Sequence, residues 1–119
     1  MYISKVIEQL GYKTNEVKAY LATLVLGEGT LADITIKANI PRSSAQIALG
    51  KLHKNGLINF YVRKNYKYWV AEPPEKLIQI LREKEELLAS MIKSIPYNSR
   101  QNIKKPNVKL FVGIEEIRL

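Results

Sequence analysis

The chain has 119 residues, of which 46% are hydrophobic and 25% charged, and it contains no cysteine. This composition fits one globular domain with an appendage, and the lack of cysteine excludes disulfides, thiolate zinc sites and cysteine nucleophiles. No stretch has the apolar run of a signal peptide or a membrane span, so we expect a cytoplasmic protein with no membrane partner.

Positive charge is concentrated in one segment of the chain. The formal net charge is +8 and the pI is about 9.7, which favours a polyanionic partner, either nucleic acid or an acidic membrane surface. Residues 41–70 contain no Asp or Glu, whereas the first forty residues are neutral overall. The cations of the basic segment are Arg42, Lys51, Lys54, Arg63, Lys64 and Lys67.

The first forty residues predict three helices. A short amphipathic turn ends at Gly11, and a second helix begins at Thr14 as its N-cap and ends at Gly27. A third helix is capped by Thr30 and ends at Asn39, a residue type that tolerates the left-handed conformation. Apolar residues recur at helical spacing at Val6, Ile7, Leu10, Val17, Tyr20, Leu21, Leu24, Val25, Leu31 and Ile34.

Residues 41–70 predict a fourth helix followed by a β-hairpin. Pro41 is expected at the first helical position, where its missing N–H costs nothing, and Asn55-Gly56 ends the helix. Residues 57–62 and 66–70 are rich in β-branched and aromatic side chains, which indicates two strands joined by the basic turn 63–65.

A long helix is predicted from residue 74 to about residue 95, because Pro73-Pro74 breaks the strand and Pro96 stops the helix. Positions 77, 81, 84, 88, 91 and 95 alternate spacings of four and three, and all except Lys84 are apolar, as in a coiled-coil seam. A helix of ~33 Å is too long for a small domain to cover. We therefore expect a homodimer; the alternative is that the stripe packs on the domain's own first helix. The predicted dimerisation residues are Leu77, Leu81, Leu88, Met91 and Ile95.

Together these elements predict a mainly α fold with a small β-hairpin, a winged helix-turn-helix followed by a long C-terminal dimerisation helix. We expect a DNA-binding domain over residues 1–72 and a dimerisation helix over residues 73–96. Residues 97–119 are expected to be a linker and the start of a truncated or vestigial C-terminal segment.

The helix that follows Pro41 is predicted to enter the major groove of double-stranded DNA, which admits one helix and is read by residues near that helix's N-terminus. Arg42 suits guanine, Gln46 suits adenine, and Ile47 suits a thymine methyl group. The predicted contacts of this helix are Arg42, Ser43, Ser44, Gln46, Ile47, Lys51 and Lys54, the two lysines facing phosphates. Gly50 costs about 1 kcal/mol relative to Ala in a helix interior; it either lets the backbone approach DNA or is simply tolerated.

The hairpin is predicted to be the wing, lying along the DNA backbone or in the minor groove. Its expected contacts are Arg63, Lys64, Tyr66 and Lys67. Trp69 is expected to pack in the sheet, and His53 is interpreted as a surface residue. A two-fold dimer predicts a pseudo-palindromic operator whose half-sites lie ~34–36 Å, or a multiple of this, apart.

Several motifs resemble the TrmB family of transcription regulators. Residues 10–21, LGYKTNEVKAYL, are similar to the family's opening helix, and IPRSS at 40–44 resembles the start of its recognition helix. NGLI at 55–58 and AEPPE at 71–75 resemble the two ends of its wing. The resemblance covers about residues 7–95 and implies a winged-helix DNA-binding domain, a coiled-coil dimer helix and regulation of transcription. Residues 105–113 resemble the start of the effector domain that longer members carry, which in some of them binds sugars. The chain is expected to be either a fragment or a short form, so no small-molecule effector is expected for it.

One histidine, no Gly-rich phosphate loop and no cluster with metal-ligand spacing argue against an enzyme, and no cofactor is expected. The alternatives are a winged-helix protein-interaction module and a non-specific, chromatin-type DNA-binding module. The acid-free segment argues against the first, and a measured specificity ratio separates the second from a regulator.

Overall fold

The computed structural model describes residues 2–96, and the predicted linker and C-terminal segment at 97–119 lie outside the described residues. The elements are α1 (Ile3–Gln9), α2 (Thr14–Leu26), β1 (Glu28–Gly29), α3 (Leu31–Ala38), α4 (Arg42–Lys54), β2 (Ile58–Arg63), β3 (Tyr66–Ala71) and α5 (Glu75–Lys93). The chain divides into two units after Ile78, so that α1–α4 and the strands form the first unit. The expected fold class, mainly helical with a small antiparallel sheet in winged helix-turn-helix order, is confirmed.

Helix boundaries follow the capping residues closely. The Thr30 hydroxyl accepts from the Asp33 N–H at 3.2 Å, and the Thr30 N–H donates to the Asp33 carboxylate at 3.1 Å, which satisfies two free donors at the start of α3. Asn39 adopts the left-handed conformation, with φ 56° and ψ 50°, as expected. Two expected caps are displaced by one residue: Lys13 rather than Thr14 caps α2, and Pro41 is the N-cap of α4 rather than its first residue.

The sheet has the order β1-β3-β2, with both pairings antiparallel. The short β1 was not expected from sequence, because two residues give no hydrophobic alternation. Gly29 pairs with Trp69 on β3. A Cβ atom on Gly29 would lie 3.2 Å from the Asp33 Cβ and 3.3 Å from the Leu26 Cδ1, so glycine allows β1 to pack closely against α2 and α3.

The core lies between α2, α3, α4 and the sheet. Its largest fully buried side chains are Tyr20, Thr23, Ile34, Leu49, Leu52, Leu57 and Ile58, each apolar one contributing about 1.5–3 kcal/mol by burial. The buried stripe of α2 differs from the expected one: Ala19 and Thr23 are buried, whereas Val25 is exposed. Small residues on that stripe let α2 approach α4, and the Thr23 hydroxyl donates to the Ala19 carbonyl at 2.7 Å.

Tyr20 joins α2 to the end of the wing. Its hydroxyl donates to the Glu72 carbonyl at 2.6 Å, across 52 residues of sequence. Burial, with the nearby charges of Glu75 and Glu72, raises the pKa of Tyr20 to about 12. This hydrogen bond fixes where the chain leaves β3 and enters α5.

Candidate nucleic-acid interface

Helix α4 is oriented by its buried face. Ala45, Ala48, Leu49 and Leu52 are buried against the core, so residues on the opposite side of the helix must point outward. The turn before the helix places buried Ile40 ahead of Pro41, whose extended conformation (φ −61°, ψ 150°) starts the helix.

The outward face of α4 carries the side chains that the sequence predicts for base contacts. Six of the seven, Arg42, Ser43, Gln46, Ile47, Lys51 and Lys54, are exposed, and Ser44 is half-buried. Ile47 is 74% exposed, although it is a large apolar residue in an ordered helix. An isoleucine in that position gains from burial only when a partner covers it.

Gly50 lies on the same outward face. It is exposed, and a Cβ atom built there meets nothing within 4 Å. Packing within the protein therefore does not require glycine at this position, although glycine costs the helix about 1 kcal/mol.

The wing is a tight hairpin. Lys64 and Asn65 both have positive φ, 52° and 69°, which is the two-residue turn whose twist matches that of the paired strands. The turn is one residue shorter than expected, because Arg63 belongs to β2 and pairs with Tyr66. Since paired residues share a face of the sheet, this register divides the wing side chains between two faces.

One face of the wing packs beside the C-terminal part of α4. The His53 ring lies 5.1 Å from the Phe60 ring and 6.3 Å from the Trp69 ring, centre to centre. The Lys67 ammonium lies 4.2 Å from the centre of the Phe60 ring, a distance typical of a cation–π contact. His53 is exposed, as expected for a surface residue, and its ring also connects α4 to the wing. Trp69 packs in the sheet as expected.

The other face of the wing holds Arg63. The Tyr61 and Tyr68 rings stack with centres 5.5 Å apart, and the Arg63 guanidinium lies 4.7 Å from the centre of the Tyr68 ring. Glu28 on β1 is 3.9 Å from Arg63, and it accepts a hydrogen bond of 2.5 Å from the Tyr61 hydroxyl, which raises the pKa of Tyr61. We call Glu28, Tyr61, Arg63 and Tyr68 the wing brace.

The wing brace contains a residue that sequence reasoning missed. Glu28 gave no signal in the sequence, because its contacts are with residues more than thirty positions away. Pairing of Glu28 with Val70 on β3 brings its carboxylate to this face. The brace joins β1 to the wing at Tyr61 and at Arg63 beside the turn, and it leaves the Arg63 side chain 57% exposed.

Helix α4 and the wing border one open cleft of about 350 Å³. Arg42 and Gln46 line it from the helix, and Tyr66, Lys67 and Trp69 line it from the wing. On its other side α4 borders a second cleft, lined by Ser44 and Ile47 together with the start of α2. The structure thus brings two predicted helix contacts, Arg42 and Gln46, and two predicted wing contacts, Tyr66 and Lys67, to one cleft. Arg63 lies on the other face of the wing, and Ser44 and Ile47 line the second cleft.

The five predicted dimerisation residues differ in how far their side chains are buried. Leu77 is 7% exposed and belongs to the core of the first unit, so it has little surface left for a partner. Leu81, Leu88 and Met91 are exposed, and Ile95 is half-buried. The coiled-coil seam remains a prediction, carried by the residues after Leu77.

Residues 2–96 contain no group of three or more His, Cys, Asp or Glu side chains able to hold a metal ion. None of the helices in this range is both long enough and apolar enough to cross a membrane.

The chain is similar to a known protein family in sequence and to solved structures in fold. The family model described as the sugar-specific transcriptional regulator TrmB matches residues 7–75, more than half of the chain. No curated protein sequence matches the chain.

Solved structures share the fold at low sequence identity. The archaeal chromatin protein TrmBL2 is 19% identical over 77% of this chain, with a TM-score of 0.68. A MarR family transcriptional regulator from Silicibacter pomeroyi DSS is 13% identical over 85% of this chain and 71% of its own, with a TM-score of 0.55. BpsR of Bordetella bronchiseptica is 13% identical over 84% of this chain and 76% of its own, with a TM-score of 0.54. The chain spans 36% of the length of TrmBL2.

Proposed function

This chain belongs to the TrmB family of transcriptional regulators, and from that premise we propose that it binds double-stranded DNA sequence-specifically as a homodimer. Members of this family are regulators rather than enzymes. Residues 1–72 bind DNA in this proposal, and residues 73–96 pair the two copies. No sugar response is proposed, because the matched residues 7–75 form the winged unit and the start of α5.

The observation that carries the proposal is the shared cleft between α4 and the wing. Arg42 and Gln46 face the same opening as Lys67, within a segment of thirty residues that contains no Asp or Glu. An α-helix fits the major groove, and a basic hairpin beside it reaches the flanking backbone or minor groove. One duplex can therefore contact both elements at once.

The side chains of α4 and the wing have different proposed roles, either base contacts or backbone contacts. Arg42, Gln46 and Ile47 offer a bidentate donor, an amide and an apolar contact to base edges. Ser43 and Ser44 lie at the helix start, where hydroxyls bond to bases or phosphates. Lys51, Lys54, Arg63, Lys64, Tyr66 and Lys67 contact the backbone, so they set affinity and its salt dependence more than sequence preference.

The second half of the proposal is the homodimer. Beyond Leu77, α5 exposes large apolar side chains over most of its length, among them Leu81, Leu88 and Met91. Exposed apolar surface on this scale on one helix is typical of a partner interface. A two-fold dimer presents two copies of α4, so the operator should be pseudo-palindromic.

Non-specific, chromatin-type binding is the alternative with a specific observation behind it. The fold resembles that of TrmBL2, which is described as an archaeal chromatin protein. Both functions predict tight binding that weakens with salt, because both depend on phosphate contacts. They differ in sequence preference, which is ~10³-fold or more for a regulator.

Selection of bound duplexes from a random pool tests the proposed function. A regulator enriches one motif with two inverted halves. Arg42→Ala combined with Gln46→Ala should abolish the enrichment, whereas Lys18→Ala, which removes a charge from a separate cleft beside Val25 and Lys37, should preserve it. A pool that stays random while binding all duplexes equally would favour the chromatin-type alternative, and absence of binding would overturn both.

A further inference from the structure

The outward face of α5 has an unusual charge arrangement. Ile78 and Leu81 precede a block of five charged residues, 82–86, and Leu88 and Met91 follow it. All four apolar side chains are exposed; Leu81 is 42% and Leu88 57% exposed. Two apolar stretches therefore flank a charged centre.

The charged centre disfavours a parallel pair. In a parallel coiled coil each residue faces its own copy, and Lys84 lies in the same heptad series as Leu81, Leu88 and Met91. Lys84 would then face the partner's Lys84 within the seam, and like charges brought together out of water repel. The seam would also lack the apolar pair that two copies of Leu77 would form, because Leu77 is already buried in the first unit.

From this charge pattern we propose that α5 pairs with a second copy in the antiparallel direction, about an axis that passes between Lys84 and Glu85. In that register Leu81 lies opposite the partner's Leu88, and Ile78 lies opposite the partner's Met91. Lys84 lies opposite the partner's Glu85, so the charged centres attract instead of repelling. Each of these three pairs occurs twice. The proposal rests on the homodimer proposed above and specifies how that dimer is built.

The geometry of a helix is consistent with this pairing. At 100° per residue, Ile78, Leu81, Lys84, Glu85, Leu88 and Met91 fall within an arc of about 140°, a single face of the helix. The Gln79–Glu83 hydrogen bond, 3.3 Å long, lies off this face. It joins two side chains on the flank that stays in water.

The pairing has a geometric consequence for the dimer. The nineteen residues of α5 (Glu75–Lys93) rise by about 27 Å at 1.5 Å per residue. In the antiparallel arrangement the two helix starts, where the first units join, lie at opposite ends of that length. In the parallel arrangement they would lie side by side.

The absence of cysteine from the whole chain allows a direct test by disulfide cross-linking. Full-length Leu81→Cys and Leu88→Cys chains, one of them carrying a size tag, are oxidised separately and as a mixture. A disulfide needs Cα atoms within about 7 Å. In a parallel pair residue 81 lies about 10 Å along the axis from residue 88 of the other copy, and in an antiparallel pair the same distance separates residue 81 from residue 81 of the other copy. The mixture should form the tagged–untagged disulfide at least ~10-fold faster than either variant links to its own copy.

The outcomes of cross-linking separate the two proposals. Rapid linking of each variant to its own copy, with little mixed product, would overturn the antiparallel pairing and keep the homodimer. Residue 84 lies beside the two-fold axis, so Lys84→Cys should link to its own copy in either orientation of the helices. Failure of all three variants to link, with monomers in sedimentation, would overturn the homodimer itself.

A charge exchange provides an independent readout. Lys84→Glu places like charges opposite the partner's Glu85 and should weaken dimerisation by ~10-fold. The double variant Lys84→Glu/Glu85→Lys should restore the dimer. Glu86→Gln, on the opposite face of the helix, is the control. A parallel pair instead leaves like charges facing at position 84 in both variants, so loss without restoration, or no loss, contradicts the proposal.

Discussion

The guanidinium of Arg63 lies 4.7 Å from the centre of the Tyr68 ring on the outer face of the wing. This contact, with Glu28 at 3.9 Å, fixes the direction of an arginine that would otherwise sample many rotamers. A side chain ordered in advance loses less entropy when it binds. The wing therefore carries a cation whose direction is set before any partner binds.

We expect loss of the wing brace to change DNA affinity in the direction opposite to that predicted from charge alone. Glu28→Gln removes a negative charge close to Arg63, so electrostatics alone would tighten DNA binding. Loss of the brace should instead weaken DNA binding modestly, because exposed ion pairs contribute little, with little change in folding stability. Fluorescence titration with a fixed duplex at several salt concentrations measures this. Tighter binding by Glu28→Gln at every salt concentration would show that the brace has no role in DNA binding.

Gly50→Ala separates folding from DNA binding. The new methyl group meets nothing within 4 Å, so urea unfolding should show a gain of about 0.5–1 kcal/mol from helix propensity. If the α4 backbone approaches DNA at this point, the same variant should bind the duplex more weakly. Ser90→Ala on exposed α5 is the control, since it also favours the helix but lies outside the interface. A stabilised Gly50→Ala protein with unchanged affinity would show that glycine is merely tolerated there.

Arg42 and Lys51 should respond differently to mutation. Arg42→Ala should cost about 1–3 kcal/mol on the preferred sequence and relax the choice of base, because a bidentate contact is lost. Lys51→Ala should weaken all duplexes alike and reduce the slope of log affinity against log salt by about 1. Parallel titrations on preferred and scrambled duplexes distinguish the two effects. Unchanged affinity of Arg42→Ala for the preferred duplex would remove Arg42 from the base contacts.

The seam of α5 should be essential for dimerisation. Leu81→Glu combined with Leu88→Glu places carboxylates on the exposed apolar face and should yield monomers, because burying an unpaired charge is costly. Operator binding should weaken as well, since one half-site is then bound alone. Sedimentation velocity measures the association, and a persistent dimer would place the interface elsewhere.

The stability of the fold should fall at alkaline pH through Tyr20. The folded pKa is raised to about 12 from 10, so folding favours the protonated phenol. Its stabilising contribution is complete below pH 10 and is lost as the pH rises towards 12. Tyr20→Phe should flatten this loss, at a cost of about 1 kcal/mol at neutral pH from the missing bond to Glu72. Urea midpoints between pH 8 and 12 that fall equally in both proteins would contradict this assignment.

The elements built from local signals were the ones predicted correctly from sequence. Thr30 and Asn39 mark the two ends of α3, and Pro41 marks the start of α4 to within one residue, because their backbone preferences act locally. The hairpin likewise follows from the alternation on both sides of a turn. These local rules were sufficient to identify α3, α4 and the wing.

Contacts between distant parts of the chain were not predictable in this way. Glu28 meets Tyr61 and Arg63, and His53 meets Trp69, only because the sheet register brings them together. Val25 is exposed although helical spacing places it on the apolar stripe. Spacing alone does not say which stripe of α2 faces α4. Side-chain partners across the fold require the tertiary packing itself.

In the proposed complex α4 and the wing contact the same duplex. This shared contact can be observed by titrating isotope-labelled protein with a selected duplex and following the backbone amide resonances. We predict that the largest shifts fall within residues 42–51 and 63–67, with little change at Lys18, Val25 and Lys37. Shifts confined to the latter surface, or to only one of the two predicted segments, would contradict the claim.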